Sequence, residues 1–172
     1  FDLYMNDGKM SPTGAQDEVL AFHGSPDAPA VDIVPNNDTS SIIPDAAFGD
    51  FAGYLPIPNG ITTLDILAAG SDNRVASFQT PELSGGSTFV VVAHGFLTPP
   101  DGVENRDFAL TAFAADGTAI PLDQAARLQV IHASPDSAAS EVDVFVNEER
   151  VVEEFAYLDS TGFITVPSGT DL

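Results

Sequence analysis

Residues 20–34 read LAFHGSPDAPAVDIV, and residues 128–146 read LQVIHASPDSAASEVDVFV. Four residues of the first stretch return in the second at a constant 109-residue spacing, and a two-residue insertion then precedes the next matched pair. The matches are His23 with His132, Ser25 with Ser134, Pro26 with Pro135, Asp27 with Asp136 and, after the insertion, Val31-Asp32 with Val142-Asp143. Turn residues and apolar positions that recur together at one offset indicate an internal repeat.

The repeat extends on both sides of this motif. Downstream, Gly53, Pro58 and Gly60 match Gly162, Pro167 and Gly169; upstream, residues 1–22 overlay residues 110–131 without a gap. We therefore expect three segments, and a chain that is part of a longer array. The segments are residues 1–18 as the last strand of a preceding repeat, residues 19–127 as one complete repeat, and residues 128–172 as the first half of a following repeat.

Short β-rich runs separated by turn residues follow one another along the complete repeat. Asn59-Gly60 and Asp116-Gly117 suit tight turns, because both residue types tolerate a positive φ. The predicted strands are residues 19–23, 30–34, 52–57, 62–68, 74–79, 88–96 and 108–113. Residues 40–51 could hold one helical turn at most. This spacing predicts an all-β fold made of tandem antiparallel β-sandwich repeats with a period of about 109 residues.

The composition excludes some classes of partner. The net charge is −21, with Lys9 as the only lysine and four arginines. Nucleic acid requires cations that neutralise phosphates, so nucleic-acid binding is excluded, and binding to an anionic membrane surface is disfavoured. A protein with so many acidic residues stays soluble at high salt concentration, and the composition therefore predicts a salt-adapted source organism. There is no cysteine, and the longest apolar run, Phe89–Leu97, is too short to span a membrane.

The run HGSPDAPAVDIV, followed by FGDFAGYLPIPNG and by the later IHASPD, resembles domain-of-unknown-function family 4397. The resemblance covers nearly the whole chain. It implies Ig-like sandwiches in tandem on a secreted or cell-surface protein, and it implies no known chemistry. The second copy departs from the motif, since residues 137–141 (SAASE) replace residues 28–30 (APA).

The repeated motif supplies the first candidate site. His23, Asp27 and Asp32, with their copies His132, Asp136 and Asp143, combine imidazole and carboxylate groups, which are common metal ligands. The structural interpretation is favoured: the histidine bonds a backbone carbonyl, and the first aspartate follows Ser-Pro and caps a turn. A turn that recurs in each repeat is more simply explained by the fold than by chemistry.

Calcium is the second possibility, because it prefers carboxylate and carbonyl oxygens. The candidate ligands lie in two loops and lack the EF-hand spacing: Asn36, Asn37 and Asp38 in one, and Asp101, Glu104 and Asp107 in the other. No catalytic signature occurs in the sequence, so neither an enzyme nor a required cofactor is expected.

These observations predict a non-enzymatic extracellular or cell-surface module that is structural or adhesive: a stalk, an adhesin, a filament or a surface-layer component. Its expected partners are other copies of itself or other cell-surface components, with no nucleic acid and no membrane insertion. The alternative is a module that binds surface polysaccharide or calcium. The absence of tryptophan and the presence of only three tyrosines weaken the polysaccharide alternative.

Overall fold

The computed structural model of the protein describes residues 3–36, 38, 40–146 and 148–168. The chain divides into two compact units, residues 1–124 and residues 125–172. Over the described residues, the regular structure is strand apart from one 3-10 turn at Ser137–Ala139, and no helix there is long and apolar enough to cross a membrane. The predicted all-β class is confirmed.

Strands of the first unit form where β-branched and aromatic residues are bounded by Gly, Pro, Asn and Asp. All seven predicted strands are present, with ends displaced by at most two residues. In chain order the strands are β1 (Asp17–His23), β2 (Val31–Pro35), β3 (Ile43–Ala46), β4 (Phe51–Ile57), β5 (Thr63–Ala68), β6 (Arg74–Gln79), β7 (Thr88–His94), β8 (Ala109–Ala114), β9 (Ala119–Pro121) and β10 (Asp123–Leu128).

The first sheet of this unit has the strand order β4-β1-β7-β8-β9. β1 pairs in parallel with β7, from Glu18 opposite Thr88 to His23 opposite Ala93. The other pairs in this sheet are antiparallel. The prediction of a wholly antiparallel sandwich is therefore wrong at β1–β7. A tight hairpin forces antiparallel pairing, whereas the long connection between β1 and β7 permits a parallel pair.

The second sheet of the unit has the order β10-β6-β5-β2-β3, and every pair is antiparallel. Only Asp123 and Gln124 of β10 contribute to it, opposite Gln79 and Phe78. Apolar side chains from both sheets form one core, as expected of two packed layers. That core includes Val19, Val91 and Leu110 from the first sheet, and Val31, Ile66 and Phe78 from the second.

Two segments differ from their predictions. Residues 40–51 were expected to hold at most a helical turn, but they contain β3, which pairs with β2. Residues 1–18 were expected to be a strand, but residues 3–16 form none, and β1 begins at Asp17. Residues 110–122, which residues 1–13 match at the 109-residue spacing, belong to a sheet because β8 pairs with β7. Residues 3–16 have no such partner strand within the described part of the chain.

The second unit repeats two strand pairs of the first. The last residues of β10 pair with β13 (Ile164–Pro167), and β11 (Glu141–Val146) pairs with β12 (Glu149–Ala156). The registers also match: Val19 lies opposite Leu55 in the first unit, and Leu128 lies opposite Ile164 in the second. Likewise Val31 faces Ala46, and Val142 faces Phe155. The β1–β4 and β2–β3 pairs therefore each have a counterpart of similar register in the second unit.

Candidate functional site

His23 ends β1 as a buried residue of the fold. Its Nε2 lies 3.1 Å from the carbonyl oxygen of Pro29, and because a carbonyl can only accept, Nε2 carries the proton. Its backbone carbonyl accepts from the Gly49 N–H, and its ring meets Phe48 edge-on at 6.4 Å. Its Nδ1 is buried without a hydrogen-bond partner in the structure. The expected bond from histidine to a backbone carbonyl is thus present.

Ser25 and Asp27 join the turn after β1 to the loop after β7. The Ser25 hydroxyl donates to the Gly95 carbonyl at 2.9 Å. The two carboxylate oxygens of Asp27 accept from the backbone N–H groups of Leu97 and Thr98 at 3.0 and 2.9 Å. These bonds, with that from Thr98 foremost, hold the pKa of Asp27 below its usual range. We call these five residues the latch of the first unit.

Asp32 binds a different part of the chain. Its two carboxylate oxygens accept from the backbone N–H groups of Asp45, at 2.7 Å, and Gly70, at 3.0 Å. These two bonds, with that from Asp45 first, lower the pKa of Asp32. The structure therefore does not combine His23, Asp27 and Asp32 into one ligand set, since each binds separate backbone groups.

His132 repeats three contacts of His23. Its Nε2 lies 2.7 Å from the Ala139 carbonyl oxygen, and its ring meets Tyr157 edge-on at 6.5 Å. Its backbone carbonyl accepts from the Leu158 N–H, as that of His23 accepts from Gly49. Tyr157 and Leu158 follow their counterparts, Phe48 and Gly49, at the same 109-residue spacing.

Asp143 likewise repeats the role of Asp32. It accepts from the backbone N–H of Glu154 at 3.0 Å, as Asp32 accepts from that of Asp45. This bond, followed by one from Arg150, lowers the pKa of Asp143. His23 and Asp32 thus each share at least one backbone bond with their copies, His132 and Asp143.

Asp136 is the member of the motif that differs between the units. Its carboxylate accepts a local bond at 2.9 Å from the Ala138 N–H and caps the 3-10 turn. Among the described residues, the Asp136 carboxylate bonds this neighbouring N–H group and not a distant loop. The neighbouring serines differ accordingly: Ser25 is fully buried at 0% exposure, and Ser134 is exposed.

The candidate calcium ligands that the structure describes do not form a cluster of carboxylates. Asn36 accepts from the Thr63 N–H through its side-chain oxygen, which is a bond within the fold, and the Asp38 N–H donates to Pro35; Asn37 lies outside the described residues. Asp101, Glu104 and Asp107 are exposed in the loop between β7 and β8. Across the described residues, no group of three or more His, Asp or Glu side chains is placed to hold a metal ion.

One cluster of polar side chains was not predicted from the sequence. The buried carboxylate of Glu18 accepts from the ammonium of Lys9 and from both the hydroxyl and the backbone N–H of Thr13. These bonds, with Lys9 first, lower the pKa of Glu18 from its ordinary 4.5 to about 2. Lys9 also lies 5.1 Å from the ring centre of Tyr54. The one available signal was that Lys9 is the only lysine of the chain.

Asp65 belongs to a second buried polar group. β5 is buried on both faces at this point, and Asp65 is only 1% exposed. It accepts from Arg74 at 3.0 Å and from the hydroxyl of Ser77, its cross-strand neighbour on β6. An alignment of β5 with β6 as a hairpin would have placed Asp65 opposite Ser77 and so predicted this hydrogen bond.

An open polar cleft of about 260 Å³ lies on the outer side of the second sheet. Its polar lining comes from Asp32, Ser41, Ser71 and Asp72. Both carboxylate oxygens of Asp32 already accept backbone hydrogen bonds, and no aromatic side chain lines the cleft. Stacking of a sugar ring, which usually requires an aromatic surface, therefore has no support there.

A family model described as a domain of unknown function (DUF4397) matches residues 18–139 and, a second time, residues 126–171. The second match falls on the segment whose histidine and strand registers repeat those of the first unit. Searches of curated proteins and of solved structures found no match. The chain belongs to domain-of-unknown-function family 4397.

Proposed function

We propose that the protein is a non-enzymatic, extracellular structural or adhesive module built from tandem Ig-like repeats with the 109-residue period. The observation that supports this most is the repeated bonding around His23 and His132. The main-chain N–H and carbonyl of each histidine bond partners that are 109 residues apart, and each Nε2 lies near a carbonyl oxygen of the loop that follows. The two matches of the family model fall on the same two segments. Such modules serve as stalks, adhesins, filaments or surface layers, and their partners are further copies or other surface components.

The chemistry of the motif agrees with a structural role. In the first unit, the carboxylate oxygens of Asp27 and Asp32 accept backbone N–H groups, and Nε2 of His23 binds a carbonyl. A catalytic histidine needs a nucleophile or a substrate proton within hydrogen-bond reach. The ring nitrogens of His23 are buried and contact no such group.

A binding and activity screen tests this proposal. The purified chain would be applied to an array of surface glycans and to generic esterase, phosphatase, glycosidase and peptidase substrates. We expect neither turnover nor saturable glycan retention. Activity that co-purifies with the protein and is lost on altering the cleft residues Asp32 and Asp72 would contradict the proposal.

The calcium alternative has its own test, because ligands that bind only the folded state raise its stability. We expect the same melting temperature in the presence of calcium or of a chelator. A calcium-dependent rise that disappears in Asp101→Asn, with Asp38→Asn as the matched control for the other loop, would favour calcium binding.

A further inference from the structure

We propose that one exposed turn in each unit is a docking surface for a basic segment of another cell-surface protein. The turns are residues 45–50 in the first unit and residues 154–159 in the second, and we call them the aromatic turns. The ring in each of them, Phe48 or Tyr157, stacks against an arginine or lysine side chain of the partner. The inference rests on the proposed function, because it names the chemistry of a surface component that such a module binds.

The two aromatic turns are closed by the same hydrogen bonds. In the first unit, the Asp50 N–H donates to the Ala47 carbonyl at 3.0 Å, and the Asp50 carboxylate accepts from the Ala47 N–H at 3.0 Å. Asp159 and Ala156 make the same two bonds in the second unit, at 2.9 and 3.0 Å. Bonds in both directions restrict the conformation of each turn and thereby hold the aromatic residue between them in place.

The aromatic residue of each turn is a half-exposed ring. Phe48 and Tyr157 are each 48% exposed, and each lies at nearly a right angle, 88° and 87°, to the motif histidine of its unit. In the first unit Tyr4 also contacts Phe48, with 6.1 Å between the ring centres. A ring that its neighbours already hold loses little conformational freedom when a partner binds. The equal exposure at equivalent positions therefore indicates a surface that both units present to a partner.

Carboxylates flank each ring and favour a cation as the partner. Asp45 and Asp50 lie on either side of the first ring in the sequence, and Glu154 and Asp159 lie at the same positions around the second. All four side chains are exposed. The face of an aromatic ring attracts a cation, and the planar group of arginine also stacks on it. An anionic partner would be repelled by these carboxylates and by the net charge of −21.

A second copy of the chain is a poor source of the basic segment. The chain has five basic residues against 26 acidic ones. Three of the five, Lys9, Arg74 and Arg150, are already paired with carboxylates of their own chain. The basic segment therefore belongs to a different protein, and its binding should weaken as the salt concentration rises, because salt screens the attraction between exposed charges.

A short peptide of alternating glycine and arginine serves as the probe. It would be titrated into the isotope-labelled full chain and followed by two-dimensional NMR at low and at physiological salt. We expect saturable shift changes centred on residues 45–50 and 154–159, with weaker binding at the higher salt concentration. The same peptide with citrulline in place of arginine keeps a planar side chain without the charge. It should bind about tenfold more weakly.

Substitutions that leave the net charge unchanged separate stacking from the general attraction of a cation to an acidic protein. Phe48→Leu and Tyr157→Leu should each weaken binding at their own turn about threefold, which is the effect of losing one exposed cation–π contact. Phe113→Leu and Phe145→Leu are the matched controls, because these rings are also exposed, at 38% and 51%, but lie outside the aromatic turns. The two control variants should bind the peptide like the parent protein.

A second pair of variants removes charge and leaves the rings in place. Asp45 and Glu154 are joined to the neighbouring strand through their backbone N–H groups, which donate to Asp32 and Asp143. Asp45→Asn and Glu154→Gln keep these bonds. Each should weaken binding of the arginine peptide about twofold and leave the melting temperature unchanged.

Four results would overturn the inference. They are no binding, equal binding of the citrulline peptide, shift changes spread over acidic residues outside the aromatic turns, and binding that neither leucine substitution at these turns weakens. Each result differs from failure of the structural function, which appears as turnover or glycan retention and requires no peptide.

Discussion

At the scale of single residues, aspartates of the first unit bind the backbone at sites far along the chain. The carboxylate of Asp17 accepts from the N–H groups of Gly85 and Ser87, in the turn before β7. Asp27 accepts from the loop after β7, and Asp32 from the turn between β5 and β6. Turns that would otherwise leave N–H groups without partners are thereby fixed by ionised side chains.

Asp27→Ala removes two bonds to a distant loop, while Asp136→Ala removes only a local cap. We therefore expect Asp27→Ala to lower the melting temperature of the first unit by several degrees, and Asp136→Ala to have a smaller effect on the second. Circular dichroism melts of both variants, with and without a chelator, measure this difference. If Asp27→Ala melts like the parent protein, the latch does not stabilise the fold. If the chelator lowers the melting temperature as much as the substitution does, a bound metal stabilises the fold instead.

The Glu18 cluster makes the stability of the folded first unit depend on pH. Lys9 and Thr13 lower the pKa of Glu18 from 4.5 to about 2. The stabilisation of the folded state by this carboxylate is therefore fully present above about pH 4.5 and is lost as the pH falls towards 2. We expect the melting temperature to fall across this window, and Glu18→Gln to reduce the fall. Asp27→Asn and Asp32→Asn are useful comparisons, since the pKa values of these carboxyl groups are also lowered. A Glu18→Gln profile parallel to that of the parent would contradict the assignment.

At the scale of elements, β4 has an irregularity where it meets β1. Val19 faces Leu55, but Ala21 faces Ala52, so β4 has one more residue than β1 between these pairs. Gly53 lies within the irregularity at a φ of 147°, and a Cβ there would lie 2.6 Å from the Val19 carbonyl oxygen. A close backbone approach therefore requires glycine at this position.

Gly53→Ala should accordingly destabilise the first unit by about 2 kcal/mol or more, because the backbone must move to admit the methyl group. Gly162, its counterpart at the 109-residue spacing, is the matched control, since a Cβ there would meet nothing within 4 Å. Denaturant titration of both alanine variants measures the free energy of unfolding. Equal effects at the two positions would show that the close contact of Gly53 does not limit stability.

Sequence patterns located the elements better than their pairing. The runs that became β5 and β6 were recognisable because apolar residues lie between Gly, Asn and Asp turns. The β1–β7 pairing was not, because it joins strands that are far apart in the sequence and depends on the assembled core. The bond between His23 and a carbonyl could be predicted from the turn motif. The bonds from Leu97 and Thr98 to Asp27 could not, because the donors are backbone N–H groups, which the residue types do not distinguish.

At the scale of the whole molecule, 26 acidic residues against 5 basic ones give a net charge of −21. Several cations are already engaged in ion pairs, as in Lys9 with Glu18, Arg74 with Asp65 and Arg150 with Asp143. Neighbouring copies therefore repel each other at low ionic strength, and salt shortens the range of that repulsion to about 8 Å at physiological concentration.

We expect self-association to strengthen as the concentration of salt or calcium rises. Light scattering across a salt series, at constant protein concentration, measures the mean particle mass. An end-to-end contact between unlike surfaces does not close on itself, and would give a mass that continues to grow with concentration. A monodisperse monomer at every salt concentration would eliminate the filament and leave the stalk or adhesin as the structural role.

The parallel pairing of β1 with β7 also determines when the first unit can fold. β1 is made before β7, so it cannot acquire this partner until Thr88–Ala93 have left the ribosome, and the latch must wait for Thr98. Pairings between strands so distant in sequence slow folding, typically to about milliseconds to seconds for all-β domains. During that interval the β1 edge is open to strands of other nascent chains. One edge of the first strand can pair early with β4, whereas its other edge is among the last to be secured. The protection of that edge during translation depends on how quickly the chain from Gly24 to Thr98 is added.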